Sequence, residues 1–546
     1  MPKHGDLTRL AATVLQPGFV GTTVPDWVRR SLAEGLGGVV LFARNVESPA
    51  QVAALTAELR AERPDVIVAI DEEAGDVTRF ESRHGSSRPG NLALGAVDDV
   101  ALTESVAHDL GRELAHAGIT LDYAPDTDVN SNPDNPVIGV RAFGAEPDLV
   151  ARHSAGFVTG LQRAGVAACA KHFPGHGDTS VDSHHSVPVI DRDRAQLEAC
   201  ELVPFRAAIA AGVQSVMTGH LLVPAYDSEL PATLSPRILT GLLREELGFA
   251  GLIVTDGIEM QGVRRTYGFA GATVRALAAG ADAVCVGGDN ADERTATRLR
   301  DAIVAAVRSG ALTESRLHDA AERVQRLAEW TLRMQTAIGA RAVADAAGST
   351  VRDVAVLGGS PAAGGPAKAG AAVAGGAAAV GGSAVGLAAA RRAVKVTAGA
   401  GAPELPLERA PHVVEFAPPR NIAIGEETPW GVGDPLGDLL PGTTSVRLSA
   451  EDLAGVRDPA AKVLAGTAGR PLVLVVRDVH RHPWIAAALA STLAVRPDAI
   501  VVEMGVPVAI SGGLHIATYG ATRACGQAAA EVIAGTSVPA PHQMAA

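Results

Sequence analysis

A chain of 546 residues exceeds the roughly 250–300 at which a single core stops growing, so two domains are expected. With 47 Lys+Arg against 60 Asp+Glu the formal net charge is −13, which repels phosphate backbones and anionic headgroups and excludes nucleic acid and membrane surfaces as expected partners. The four cysteines, Cys169, Cys200, Cys285 and Cys525, lie far apart, mostly in apolar runs, and read as buried thiols. No segment at the N-terminus or elsewhere offers the about 18 consecutive apolar residues of a membrane span, so a reducing, cytoplasmic location is expected.

Along residues 1–345, short β-branched apolar runs alternate with Ala/Leu-rich stretches of helical period. The runs are a weak one at 13–21, then GGVVLFA (37–43), DVIVAID (65–71), ITLDYAP (119–125), VAACAKHF (166–173), SVMTGH (215–220), GLIVTDG (251–257) and ADAVCVG (281–287). Continuous apolar strands between helices imply a parallel sheet covered on its faces, and eight of them predict an α/β fold of the (β/α)8 TIM-barrel type. Arg44-Asn45, Asp71-Glu72, Asp126, Lys171-His172, His220 and Asp256 all fall at C-terminal strand ends, the face where such barrels collect catalytic groups.

Residues 346–386, including the Ala/Gly/Ser-rich stretch from 358, read as a flexible linker; no phosphate-loop pattern is present. From 387 to 546 the alternation resumes with HVVEF (412–416), NIAIG (421–425), SVRLS (445–449), PLVLVVRD (471–478) and AIVVEMG (499–505). This predicts a smaller α/β sandwich domain with helices on both faces.

The loop KHFPGHGDTSVDSHHSVP (171–188) concentrates histidines and aspartates. Two chemistries use such a set: metal ligation through His172, His176, Asp178, Asp182 and His184, or acid–base work by a histidine whose pKa a carboxylate sets. Asp182 and His184 are two residues apart, so an extended loop projects both from one side. The chain has no His-x-His after its first strand, no H-E-x-x-H and no C-x-x-C, which weighs against a metal.

The string KHFPGHGDTSVDSH, with VNSNPDNPVIGVRAFG (129–144) and PATLSPRILTGLLREELGFAGLIVTDGIEM (231–260), resembles the β-N-acetylglucosaminidase branch of glycoside hydrolase family 3. The likeness runs through the barrel from GGVVLFARNV (37–46) to AGADAVCVG (279–287), and more faintly beyond. It implies Asp256 as nucleophile, Asp182 with His184 as the acid/base dyad, and Asp71, Arg141, Lys171 and His172 as residues that grip sugar hydroxyls. Three positions depart from the family pattern: Ala74 replaces a glycine, Asp76 stands where a basic or neutral residue is usual, and Gly257 replaces a larger residue, which is expected to widen the site.

The resulting expectation is a retaining exo-β-N-acetylglucosaminidase that acts by double displacement on muropeptide- or chitin-type oligosaccharides, with no metal or organic cofactor. An imidazole acid/base leaves fewer negative charges near an attacking anion, so a phosphate-using glycoside phosphorylase stays open as a variant. A metal-dependent amidohydrolase is the alternative of another class. Oligomeric state is not legible.

Overall fold

The computed structural model describes residues 4–179, 187–288, 291–356, 382–399, 401–419, 421, 423–425, 428–467, 469–537 and 544–545. Strands β1 (Leu15–Pro17), β2 (Gly38–Leu41), β3 (Ile67–Ile70), β4 (Leu121–Asp122), β5 (Ala167–Phe173), β6 (Ser215–Thr218), β7 (Leu252–Thr255) and β8 (Val284–Val286) form the N-terminal sheet. β2 to β7 pair in parallel in chain order, β1 pairs with β8, and a parallel bridge from Val254 to Ala283 joins β7 to β8. With β1 lying beside β2, the eight strands curl into a (β/α)8 barrel.

Period-two alternation divides each strand between two cores. Val39, Leu41, Val68 and Ile70 face the surrounding helices, while Val40, Ile67, Ala69, Leu121, Ala167, Cys169, Met217, Val254 and Cys285 fill the interior. Tyr123 joins that interior, and its hydroxyl donates to Gln16 Oε1 at 2.6 Å, so the phenol is not left without a partner. Val324, Leu327 and Ala328 of the helix Glu314–Val356 pack on the same inner cluster. Buried Asp282 is held by Arg244 and, at 2.5 Å, by Arg316 of that helix.

The C-terminal sheet consists of β9 (Lys395–Ala398), β10 (His412–Phe416), β11 (Thr444–Leu448), β12 (Leu472–Val476), β13 (Ile500–Glu503), β14 (Leu514–Ala517) and β15 (Met544–Ala545). Its order is β11-β10-β12-β13-β14-β9-β15, with β9 antiparallel to β14. Val413, Val473 and Val502 pack on one face with helix Arg523–Ala534; Val414, Leu474 and Val501 pack on the other with helix Pro483–Val495. This is the α/β sandwich.

One expected strand is absent: in 421–425, Asn421 and residues 423–425 form no strand. Their polar groups turn to the barrel instead. The Asn421 amide donates to the Val137 carbonyl at 2.7 Å, and the Ala423 carbonyl accepts from Arg79 at 2.8 Å. Tertiary contacts override the local β preference there. Among the described residues, no helix is long and apolar enough to cross a membrane.

Candidate active site

The β3, β4, β5 and β7 ends deliver carboxylates and cations to one mouth. Lys171, at the end of β5, ion-pairs with Asp71 after β3 and lies 2.7 Å from Glu73 Oε1. Arg141 forks onto Glu73, Nη2 to Oε1 at 2.7 Å and Nε to Oε2 at 2.9 Å, and its Nε lies 3.6 Å from Asp126 Oδ2. The Arg79 Nη2 group reaches Asp71 Oδ2 at 3.1 Å. Glu73 and Asp126 side chains are 3% and 0% exposed whereas Asp71 keeps 23%, so Asp71 is the most open of these three carboxylates.

His172 Nδ1 donates to Asp128 Oδ2 at 2.8 Å, leaving Nε2 3.4 Å from Arg141 Nη2. Asp128 Oδ1 accepts the His176 N–H at 2.7 Å, which folds the start of the histidine-rich loop back on β4. Asn135 continues the job by donating to the His176 and Gly177 carbonyls at 2.9 and 3.0 Å. Asp182 and His184, assigned to acid/base work, lie outside the described residues.

Asp256 follows β7 directly. Its N–H donates to the Thr218 carbonyl at 3.2 Å, and its Oδ1 accepts the Gly257 N–H at 2.7 Å. His220, after β6, donates from Nε2 to the Gly257 carbonyl at 3.0 Å and so fixes the same turn. Arg44 and Asn45 after β2 serve the loop's own architecture, since both side chains donate to the Phe19 carbonyl.

Electrostatics sort the carboxyls into two groups. Burial works against ionising Asp71 and Glu73, yet Lys171 with Arg79 and Arg141 respectively outweighs it and holds both below the usual carboxylate range. Burial likewise opposes the His172 charge, and the Asp128 bond reverses the sign, so His172 titrates above an ordinary imidazole. Asp126 goes the other way: burial and the Asp128 charge push it up to about 8, and its Oδ2 accepts no hydrogen bond. Glu259 is also pushed up, to about 7, by burial and by the nearby Asp256 charge.

Burial and the Asp128 charge thus favour the protonated form of Asp126, whereas the bond from His172 favours Asp128 as a carboxylate. Asp126→Asn is expected to keep activity within a factor of about three at pH 7 and to remove an alkaline inflection near Asp126's titration, because an amide replaces a neutral carboxyl. Asp128→Asn removes the charge that orients His172 and is expected to cost roughly 10- to 100-fold. Paired pH–rate profiles of kcat/KM check both; equal losses would contradict the assignment.

Asp126, Asp128 and His172 present donor atoms within 4.8 Å of one another, the spacing of a metal site. Their chemistry fits poorly. His172 and Asp128 bond each other, and the Arg141 guanidinium stands 3.6 Å from Asp126, so a dication there would sit against a fixed positive charge.

Residues 18–327 match the family described as Glycosyl hydrolase family 3 N terminal domain. The chain belongs to glycoside hydrolase family 3. It is a glycoside hydrolase. A solved family 3 beta-N-acetylglucosaminidase from Paenibacillus sp. str. FPU-7 superposes with a TM-score of 0.80 at 32% identity, covering 98% of this chain and 97% of that one. Beta-hexosaminidase A of Pseudoalteromonas piscicida is 38% identical over 284 residues, 48% of this chain and 47% of that protein. The Nitrosomonas eutropha beta-hexosaminidase is 38% identical over 286 residues, 50% of this chain and 81% of that protein. The chain thus spans about half the length of the first of these two relatives and most of the second.

The three departures from the family pattern acquire physical reasons. Ala74 occupies the glycine position with φ of 59°, a left-handed conformation that costs an alanine about 1–2 kcal/mol. Asp76 is buried against the second domain, where Arg477 Nη2 reaches it at 2.5 Å and the Ala521 N–H at 2.8 Å. Gly257 does not widen the site as expected. The Glu259 carboxyl takes the space, its Oε1 lying 3.3 Å from where a Cβ on Gly257 would be.

Asp128 and Glu259 were not singled out by the sequence reading. Asp128 had a signal, since D-T-D after β4 puts a second carboxylate on the side of Asp126. Glu259 had none, because its burial depends on Gly287, whose N–H donates to it at 3.0 Å from the next strand end.

Proposed function

We propose that the chain is a retaining exo-β-N-acetylglucosaminidase that releases terminal β-linked N-acetylglucosamine from muropeptide- or chitin-type oligosaccharides in the cytoplasm. The observation that carries this reading is the convergence of Asp71, Arg141, Lys171, His172 and Asp256 on the C-terminal ends of β3 to β7. The names of the relatives, beta-hexosaminidase and beta-N-acetylglucosaminidase, support the choice of sugar.

Asp71, Arg141, Lys171 and His172, joined by Arg79, hold the non-reducing sugar by its hydroxyls. Asp256 attacks the anomeric carbon, the C–O bond to the aglycone breaks, and His184, polarised by Asp182, protonates the departing oxygen. The neutral imidazole then takes a proton from water, which displaces Asp256 and releases the sugar with its β configuration retained.

A panel of aryl β-N-acetylglucosaminide, β-glucoside and β-xyloside, each with and without phosphate, tests sugar and acceptor together. The N-acetylglucosaminide should be cleaved fastest, with free sugar as product in both buffers. A preference for glucoside, or sugar 1-phosphate as main product, would overturn the reading. Exhaustive dialysis against a strong chelator should leave the rate unchanged; a loss restored by zinc would return the histidine-rich loop to a metal-ligand role.

A further inference from the structure

The loop 71–81 carries the sugar-gripping pair Asp71 and Arg79, and the second domain touches it at separate points. Arg477 and the Ala521 N–H hold Asp76, and the Ala423 carbonyl holds Arg79 at 2.8 Å. The guanidinium of Arg79 is a rigid planar fork, with Nη1 on Ala423 and Nη2 on Asp71. Moving its support therefore turns it on its partner. A further support reaches Arg141: Arg141 Nη1 donates to the Val137 carbonyl at 3.2 Å, and that same carbonyl accepts Asn421 Nδ2 at 2.7 Å. The Ala423 N–H donates to Asn421 Oδ1 at 2.9 Å, so one asparagine ties the two supports together.

We propose that the second domain is a positioning element of the sugar site, in which Asn421 and Ala423 fix the orientations of Arg79 and Arg141 while Arg477 pins the loop between Asp71 and Arg79. Asn421 is the positioning residue; it acts through Ala423 and Val137. This inference rests on the proposed sugar-gripping role of Asp71, Arg79 and Arg141.

The test uses the full chain, with aryl β-N-acetylglucosaminide as substrate and N-acetylglucosamine as competitive inhibitor. Asn421→Ala should raise KM and the inhibition constant together by roughly five- to tenfold, the worth of one such hydrogen bond, and change kcat by less than about twofold. Asp76→Asn with Arg477→Gln, made together so that neither charge is stranded, should move the same two constants in the same direction. His480→Ala is the control: its ring donates to the Pro133 carbonyl across the same interface at 2.8 Å but braces no sugar-gripping side chain. It should leave KM and the inhibition constant within about twofold of wild type. Thermal melts confirm that each variant is folded. An active wild type whose Asn421→Ala form keeps its affinity, or whose His480→Ala form loses affinity equally, overturns the inference. A wild type inactive on the N-acetylglucosaminide strikes the functional reading instead.

Discussion

Replacing Asp256 by alanine is expected to lower turnover by on the order of 10^4- to 10^6-fold, the scale seen when the nucleophile of a concerted site is deleted. The loss belongs in kcat, because the groups proposed to grip the sugar stand at other strand ends. N-acetylglucosamine should accordingly bind the variant within about threefold of wild type. The truncated side chain leaves room on the face from which the carboxylate attacks. Azide entering there should restore part of the activity and give the α-glycosyl azide, with one inversion in place of two. Calorimetry for the sugar and proton NMR of the azide product check both halves. A variant that keeps more than about a hundredth of wild-type turnover, a smaller loss than deletion of a nucleophile causes, would mean that Asp256 does not attack carbon.

His184→Ala carries the second large effect, and its size should depend on the leaving group. A sugar alkoxide cannot leave unprotonated, so natural-type oligosaccharides should be slowed about 100- to 10,000-fold. An aryl oxide with a low pKa leaves without help, so glycosylation by such donors should be nearly unaffected and deglycosylation should limit the rate. Azide then attacks the glycosyl-enzyme from the face vacated by the imidazole and yields the β-glycosyl azide, opposite to the product of the Asp256 variant. Asp182→Asn should show a milder form with the alkaline limb of kcat/KM moved to lower pH, since the imidazolium loses its stabilising charge. Equal slowing of good and poor leaving groups would leave His184 with a binding role only. Glu259, pushed up to about 7 next to Asp256, would then be the first candidate for the donor. Glu73 is less suited, pinned as a carboxylate between Arg141 and Lys171.

The barrel was legible in the sequence because strands buried on both faces read as unbroken β-branched runs, as in GVVL and LIVT. The residues at their ends were legible for the same reason: Asp71 and Asp256 each interrupt an apolar run where it leaves the core, and Lys171 interrupts one near the end of its strand. Short second-domain strands were harder to see. KVTA and LHIA, β9 and β14, are four residues each and gain their stability from pairing with one another. The apolar look of NIAIG misled for the opposite reason, its polar groups being drawn to the barrel. Charge pairing was beyond reach wherever partners are remote in sequence, as with Asp76 and Arg477, 401 positions apart. That pairing also explains why an acidic residue is tolerated at a position that is usually basic or neutral in the family.

The most direct measurement is peptide mapping of the full-length enzyme after inactivation by a fluorinated glycosyl donor with a good leaving group. Fluorine slows both steps of a double displacement and the leaving group rescues only the first, so the glycosyl-enzyme accumulates. The expected result is one sugar adduct on the peptide containing GLIVTDGIEM, with fragmentation placing it on Asp256. An adduct on any other residue, or rapid turnover without covalent labelling, would contradict the double-displacement mechanism through Asp256.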